Sequence, residues 1–340
     1  MNRMPAAVRP YTPADEAAVL DLLHLSLGDG RAFQRDHAFW QWKHFHNPFG
    51  ASLLMVAADA GIVGLRAFLR WEFRTDTRVL TAVRAVDTAT HPEHRRSGIF
   101  SHLTRITVDR ARGEGVDLIF NTPNQYSLPG YLKLGWTHVG RPGLLIRPLR
   151  PPWRLGAFRR DRDALPSLAD EHGALSVVAL LAEASALERL LADNERLCRG
   201  RLRTRRSAAF LRWRYTEIPS LRYYACWTGP VPSRAVAIFR PNLRRGWREI
   251  MLADLLLAEP DPRPVRVLMR RLAALGAADY AVAHAPWGSG HWRSLVGAGF
   301  LPVPRLGPHF TVCPLSAAAG AEAPTRLPRW HLSLGDLEIF

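Results

Sequence analysis

Two short aromatic stretches set the frame for this chain. Ala38-Phe39-Trp40-Gln41-Trp42-Lys43 recurs as Ala209-Phe210-Leu211-Arg212-Trp213-Arg214, an offset of 171 residues. At the same offset Pro48 falls on Pro219 and Phe68 on Phe239. One aromatic hexapeptide recurs by chance often enough; three landmarks in a single ungapped register point to duplication. The length of 340 residues suits two units, each large enough to bury its own core.

The first unit alternates strand and helix signals. Ala6–Pro10 reads as a strand, and Thr12-Pro13-Ala14-Asp15 opens a helix with Ala17, Leu20, Leu23 and Leu27 at helical spacing. Asp36–Phe45 reads as a second helix, ended by Asn47-Pro48. Ser52–Ala58 and Ile62–Phe73 are strands about the turn Asp59-Ala60-Gly61, and Val79–Ala89 is another. Amphipathic Ile99–Arg112 ends at Gly113 and Gly115, then Val116–Phe120 is an apolar strand, with a short helical segment through Tyr131 to Leu134. This order predicts an α/β fold in which a crossover helix joins a parallel strand pair. Residues 1–146 form the first domain. The proline- and charge-rich 147–170 is a linker, 171–315 is the second domain, and 316–340 is a tail. A solvated tail has no need of Trp330, Leu332, Leu334 and Phe340, so it is expected to dock on the body.

Charge bears on partners. The formal net charge is +16, and the pI of 11.0 is what a phosphate-binding chain would carry. Yet Lys43 and Lys133 are the only lysines. The arginines sit in a chain rich in Ala, Leu, Gly and Pro, a coding bias that places them on solvated faces whatever the partner. Nucleic acid is therefore disfavoured, and the densest cluster, Arg201-Leu202-Arg203-Thr204-Arg205-Arg206, is expected to be solvated surface. No apolar run approaches the roughly 18–20 residues that cross a bilayer, and no secretory signal is visible in 1–20. Cys198, Cys226 and Cys313 are scattered, without disulfide or metal-ligand spacing. A cytoplasmic protein without a metal is expected.

The chemistry concentrates between Val86 and Trp136. A strand ends at Thr90-His91-Pro92, the loop Glu93-His94-Arg95-Arg96-Ser97-Gly98 follows, and a helix starts at Ile99. Unpaired backbone N–H groups, the positive end of a helix and two arginines meet there, an arrangement suited to a pyrophosphate. Gly98 lets the backbone approach such a ligand closely. The Gly-Lys-Ser/Thr ending of a P-loop is missing, so ATP hydrolysis has no support.

The segment resembles the GNAT superfamily of N-acetyltransferases. Arg95-Arg96-Ser97-Gly98-Ile99-Phe100 is similar to the family's Gln/Arg-x-x-Gly-x-Gly/Ala loop, departing at Phe100. Asn124, Tyr131, Lys133, Gly135 and Trp136 resemble its later Asn…Tyr-x-Lys-x-Gly-aromatic pattern. The resemblance implies a fold class of α/β (α+β mixed sheet): two tandem GNAT-like domains, each a twisted mixed sheet flanked by helices. It implies acetyl-CoA as cosubstrate, held by Arg95, Arg96, Ser97, Gly98, Ile99, Phe100 and Ser101, by Asn124, and by the strand edge at Ala89 and Thr90. Tyr131 would be the general acid. Arg84 stands where many relatives have a glutamate base; Asp87 is the tentative substitute, with a buried ion-pair role as its competitor. A distant likeness to the tandem Eis-type acetyltransferases implies a third option, the terminal carboxylate of Phe340.

The second unit has no Arg-x-x-Gly turn before its helix-like Val265–Leu272, and keeps only Gly299-Phe300 of the later pattern. It reads as a degenerate copy that shapes an acceptor cleft. The expected activity is acetyl transfer to a primary amine of a small-molecule or peptide acceptor, with an oligomer open. A Fem-like aminoacyl transferase using aminoacyl-tRNA and a non-catalytic acyl-CoA sensor are the alternatives.

Overall fold

Capping and hairpin chemistry place the early elements. Thr12 and Asp15 form a reciprocal capping box, Arg9 clamps the Asp15 carboxylate, and Gly28 with φ of 70° stops the first helix. The structure, a computed structural model, describes residues 6–28, 35–150, 175–276 and 278–338. The first half runs β1 (Ala7–Pro10), α1 (Glu16–Leu27), α2 (His37–His44), β2 (Leu53–Ala58), β3 (Ile62–Arg74), β4 (Val79–Thr90), α3 (Ile99–Gly113), β5 (Leu118–Asn121), α4 (Leu128–Lys133), β6 (Thr137–Gly140) and β7 (Leu144–Pro148). The second half runs β8 (Leu175–Ser176), α5 (Val177–Ala182), α6 (Ala184–Leu197), β9 (Leu202–Thr204), α7 (Ala208–Tyr215), β10 (Tyr224–Trp227), β11 (Ala235–Arg244), β12 (Trp247–Leu257) and α8 (Pro262–Ala274). It continues with β13 (Tyr280–Ala283), α9 (Gly290–Gly297), β14 (Leu301–Val303), β15 (Phe310–Pro314), α10 (Ala317–Ala321), β16 (Trp330–His331) and α11 (Leu334–Leu337).

Among the described residues these strands make two mixed sheets flanked by helices. The first has the order β1-β2-β3-β4-β5-β15-β6, with β9 and β16 at the β3 edge; the second is β14-β7-β13-β12-β11-β10-β8. In each, one parallel pair spans a helix: β4 with β5 around α3, and β12 with β13 around α8.

The halves trade strands. β7, last of the first half, lies between β13 and β14 of the second sheet. β15 lies between β5 and β6 of the first. His138 and His309, again 171 residues apart, meet at 3.1 Å where the exchanged strands cross over. Sequence grouping by position puts Leu144–Ile146 with one unit and Phe310–Pro314 with the other; pairing across a duplicated chain is not visible in a linear pattern.

The repeated hexapeptide is the hinge of this arrangement. Trp42 and Trp213 stack with centroids 5.2 Å apart and planes at 19°. Each indole N–H donates to the other's backbone carbonyl, at 2.8 and 3.0 Å. Both rings are buried in the central core, with Trp71, Phe210 and Phe49 around them. Trp213→Phe removes the buried hydrogen bond to the Trp42 carbonyl and is expected to destabilise the fold by about 0.5–1.5 kcal/mol, read as a lowered urea midpoint.

The arginine cluster corrects an expectation. Arg203 is 3 % exposed and bonds Glu195 and Asp76. Arg206 is clamped by Asp254 and Asp336. These two side chains tie the halves and the C-terminal segment together and are not solvated surface. Trp330, Leu332 and Leu337 of that segment lie in the central core. No helix of the described residues is long and apolar enough to cross a membrane.

Candidate active site

The parallel strands β4 and β5 pair only from Ala82 to Arg84, against Leu118 to Phe120. β4 then continues to Thr90, while β5 stops at Asn121. Among the described residues no strand pairs with that side of β4 beyond Arg84, so the two strands part in a wedge. β3 covers the other side, and one residue of β3, Arg66, faces two of β4, Asp87 and Thr88, in a bulge. Asp87 takes φ of 39° there.

The loop after β4 lies at the mouth of the wedge. Arg96 and Gly98 take positive φ of 65° and 84°, so the chain turns sharply into α3. Among the described residues the N–H groups of Ser97, Gly98, Ile99 and Phe100 meet no protein acceptor, whereas His94 and Arg95 bond back to His91 and Pro92. Arg95 and Arg96 are exposed and form no ion pair with a described residue. A Cβ at Gly98 would meet nothing within 4 Å, so the turn faces open space. α3 is seated by Gly64 of β3, where a Cβ would come within 2.7 Å of Ile99.

Phe100, the departure from the family pattern, has a local reason. Its ring packs edge-on to Tyr131 at 5.7 Å and lies against Gly130, where a Cβ would approach it to 3.1 Å. The side chain turns inward to the Tyr131 wall while the amide stays at the helix start. Ser101 follows on α3. Ala89 is buried, and the Thr90 carbonyl accepts from Ser26 of α1 at 3.3 Å. Asn124 uses its side-chain carbonyl to accept from the backbone N–H groups of Tyr126 and Ser127, both at 2.9 Å, ordering the turn before α4.

Tyr131 is 5 % exposed and wedged between Phe100 and Trp136. Its hydroxyl accepts from Arg66 Nη1 at 2.8 Å. Arg66 itself escaped the sequence reading, which treated arginine as surface. The available signal was its position among Val63, Gly64, Leu65, Ala67, Phe68 and Leu69, the one charge in an apolar run in the first half of β3.

The candidate bases sit differently. The Asp87 side chain is 6 % exposed and bonds Lys43 Nζ at 2.5 Å and His44 Nε2 at 3.1 Å. Burial opposes its ionisation, yet Lys43 and His44 outweigh burial and hold the carboxyl well below the usual carboxylate range. Arg84 donates to the carbonyls of Asp336, Leu337 and Glu338. Arg214 holds Gly335, and Tyr223 and Arg240 hold the Glu338 carboxylate. The C-terminal segment is thereby anchored at the domain junction beside β4; Phe340 lies outside the described residues.

The second half repeats the frame without the opening. Phe68 pairs with Ala85 and Phe239 with Leu252, so Asp87 and Asp254 occupy matching places two residues on. Asp254 bonds Tyr215 and Arg206 as Asp87 bonds His44 and Lys43. The loop before α8 has Pro262 without an N–H, and the Asp261 carboxylate accepts from the Arg263 amide at 2.9 Å. A negative cap in that position repels a phosphate. Elsewhere Cys198, His291 and His331, spread over the sequence, come together with ligand atoms within 4.8 Å. The two histidines already bond each other at 3.1 Å, and burial pushes the Cys198 thiol up to about 12.

A wedge between parallel strands, closed at one end by free helix amides, defines the GNAT acyltransferase fold, and the chain resembles that superfamily in family pattern and architecture alike. Residues 7–139 match the family model for the acetyltransferase (GNAT) domain. The chain is similar in structure to a GCN5-related N-acetyltransferase from Kribbella flavida, at 15% identity and TM-score 0.62, over 97% of this chain and 83% of that one. A GCN5-related N-acetyltransferase from Anabaena variabilis ATCC 29413 is similar at 13% identity and TM-score 0.63, over 93% and 74%. Eis1 from Mycobacterium abscessus is similar at 16% identity and TM-score 0.54, over 94% and 76%. These likenesses establish the fold. No curated protein matches the sequence.

Proposed function

We propose that the chain is an acyl-CoA-dependent N-acyltransferase that moves an acetyl group from acetyl-CoA to a primary amine. The observation that carries this reading is the run of amides from Ser97 to Phe100 that meet no acceptor among the described residues, beside the exposed Arg95 and Arg96. A pyrophosphate is the fitting occupant for a positively flanked helix start. The pantetheine arm would then lie in the wedge along β4 and add to its unpaired side as a strand would. That path leads towards Tyr131, the one phenol of the first domain packed against the loop's own Phe100. The acceptor's neutral amine attacks the thioester carbonyl carbon, and Tyr131 gives its proton to the departing thiolate. No metal enters this chemistry.

The decisive assay is thiol release from acetyl-CoA across a library of amines. Gly98→Glu places a carboxylate among the amides and is expected to raise the KM for acetyl-CoA by about tenfold or more. Glutamate at positive φ is also strained, so Gly98→Asn, which tolerates that backbone, is the control and is expected to keep KM within about threefold. Equal KM values for wild type and Gly98→Glu would remove the loop from the ligand site.

A further inference from the structure

The first domain holds a buried cation that no carboxylate of a described residue neutralises. Arg66 is 0 % exposed, and no carboxylate of a described residue pairs with it. Its Nη1 donates to the Tyr131 hydroxyl at 2.8 Å and to Thr88 Oγ1. Its Nε and Nη2 have no hydrogen-bond partner. The guanidinium carbon lies 4.9, 5.6 and 5.0 Å from the ring centroids of Phe68, Phe100 and Tyr131. A charge left dry and unpaired is costly, so its retention among three rings calls for a reason beyond packing.

The internal repeat points to that reason. The register that equates Phe68 with Phe239 puts Ala237 in the place of Arg66. Trp136 N–H bonds the Tyr131 carbonyl and Phe300 N–H bonds the Leu295 carbonyl, so Leu295 takes the place of Tyr131. Both replacements are core side chains of the second half. The half whose helix amides are free has the arginine and the phenol; the half whose loop is blocked has neither.

We propose that Arg66 is the positioning residue of acyl transfer, holding the anion that Tyr131 becomes when it surrenders its proton. This rests on the reading of Tyr131 as the acid. In the step, the C–N bond to the amine forms, the thioester C–S bond breaks, and the sulfur keeps the electron pair. The phenol proton passes to that sulfur, leaving phenolate. The new amide nitrogen releases its extra proton to solvent, and solvent later reprotonates the phenolate, so the balance closes. Arg66 acts in two ways. Because the hydroxyl oxygen accepts from Nη1, its own hydrogen is turned away from the guanidinium and donates to no described residue. The same N–H then meets the phenolate without rearrangement, behind aromatic walls that keep water out and the field strong.

The test is a double-mutant cycle on thiol release, using acetyl-CoA and a library amine that supports turnover, with bare acetyl-CoA hydrolysis as the fallback reaction. Arg66→Met is expected to lower kcat by about tenfold or more, with the Kd for acetyl-CoA within about threefold. Arg66→Lys, which restores a cation, is expected to recover most of the loss. On a Tyr131→Phe background, Arg66→Met is expected to change kcat by less than about threefold, because the group it serves is already gone. If Arg66→Met does not fold, Arg66→Gln takes its place. Additive losses, or Arg66→Lys no better than Arg66→Met, overturn the role of Arg66. An undiminished kcat in Tyr131→Phe alone overturns the acid reading instead, and the two failures are therefore distinct.

Discussion

Tyr131→Phe is expected to lower kcat by about a hundredfold or more, with the KM for acetyl-CoA within about threefold. The substitution keeps the ring that packs between Phe100 and Trp136 and removes one oxygen. Its structural cost is confined to the bond from Arg66. The Arg95–Phe100 loop is not touched, so binding of acetyl-CoA should survive, measured by calorimetry. Loss of turnover with retained binding separates an enzyme from an acyl-CoA sensor. A sensor would bind acetyl-CoA in both forms and release thiol in neither.

Asp87→Ala is expected to act mainly on stability. The carboxylate is shared by Lys43 and His44, all three buried. Its removal strands a cation inside the protein, a loss of about 3–5 kcal/mol for a broken buried pair. The pH dependence carries a sign. The folded carboxyl titrates below its unfolded counterpart, so its stabilisation is present above about pH 4 and fades as pH falls further. His44 is held low by burial despite Asp87, so it adds a loss of stability on acidification below about pH 6.5. Urea titrations at several pH values should show both steps in wild type and a smaller carboxyl step in Asp87→Ala, where Asp15, held low by Arg9, still contributes its own. Were Asp87 the base, Asp87→Asn would lose kcat even under conditions in which the folded state stays fully populated.

What the sequence disclosed was local. The Arg95–Phe100 turn and Tyr131 could be seen because a helix start and a short helix are written in neighbouring residues. The crossover around α3 followed from the order of strand, helix and strand. Arg66 was hidden because its meaning depends on α4 reaching back across β3, a contact no window of sequence contains. The cluster from Arg201 to Arg206 misled for a related reason: composition counts charges, whereas burial depends on where Asp76, Asp254 and Asp336 fold to. Asp254 as the twin of Asp87 was in reach, had the repeat been followed through the four-residue change of register between β3 and β4.

The exchanged strands β7 and β15 bear on how such a chain can change over generations. A spare copy of an enzyme is ordinarily free to be lost once its chemistry decays. Here the second half supplies β15 to the interior of the first sheet, between β5 and β6. Separating the halves would open the first sheet between β5 and β6 and the second between β13 and β14, so neither half is expected to keep its sheet without the other.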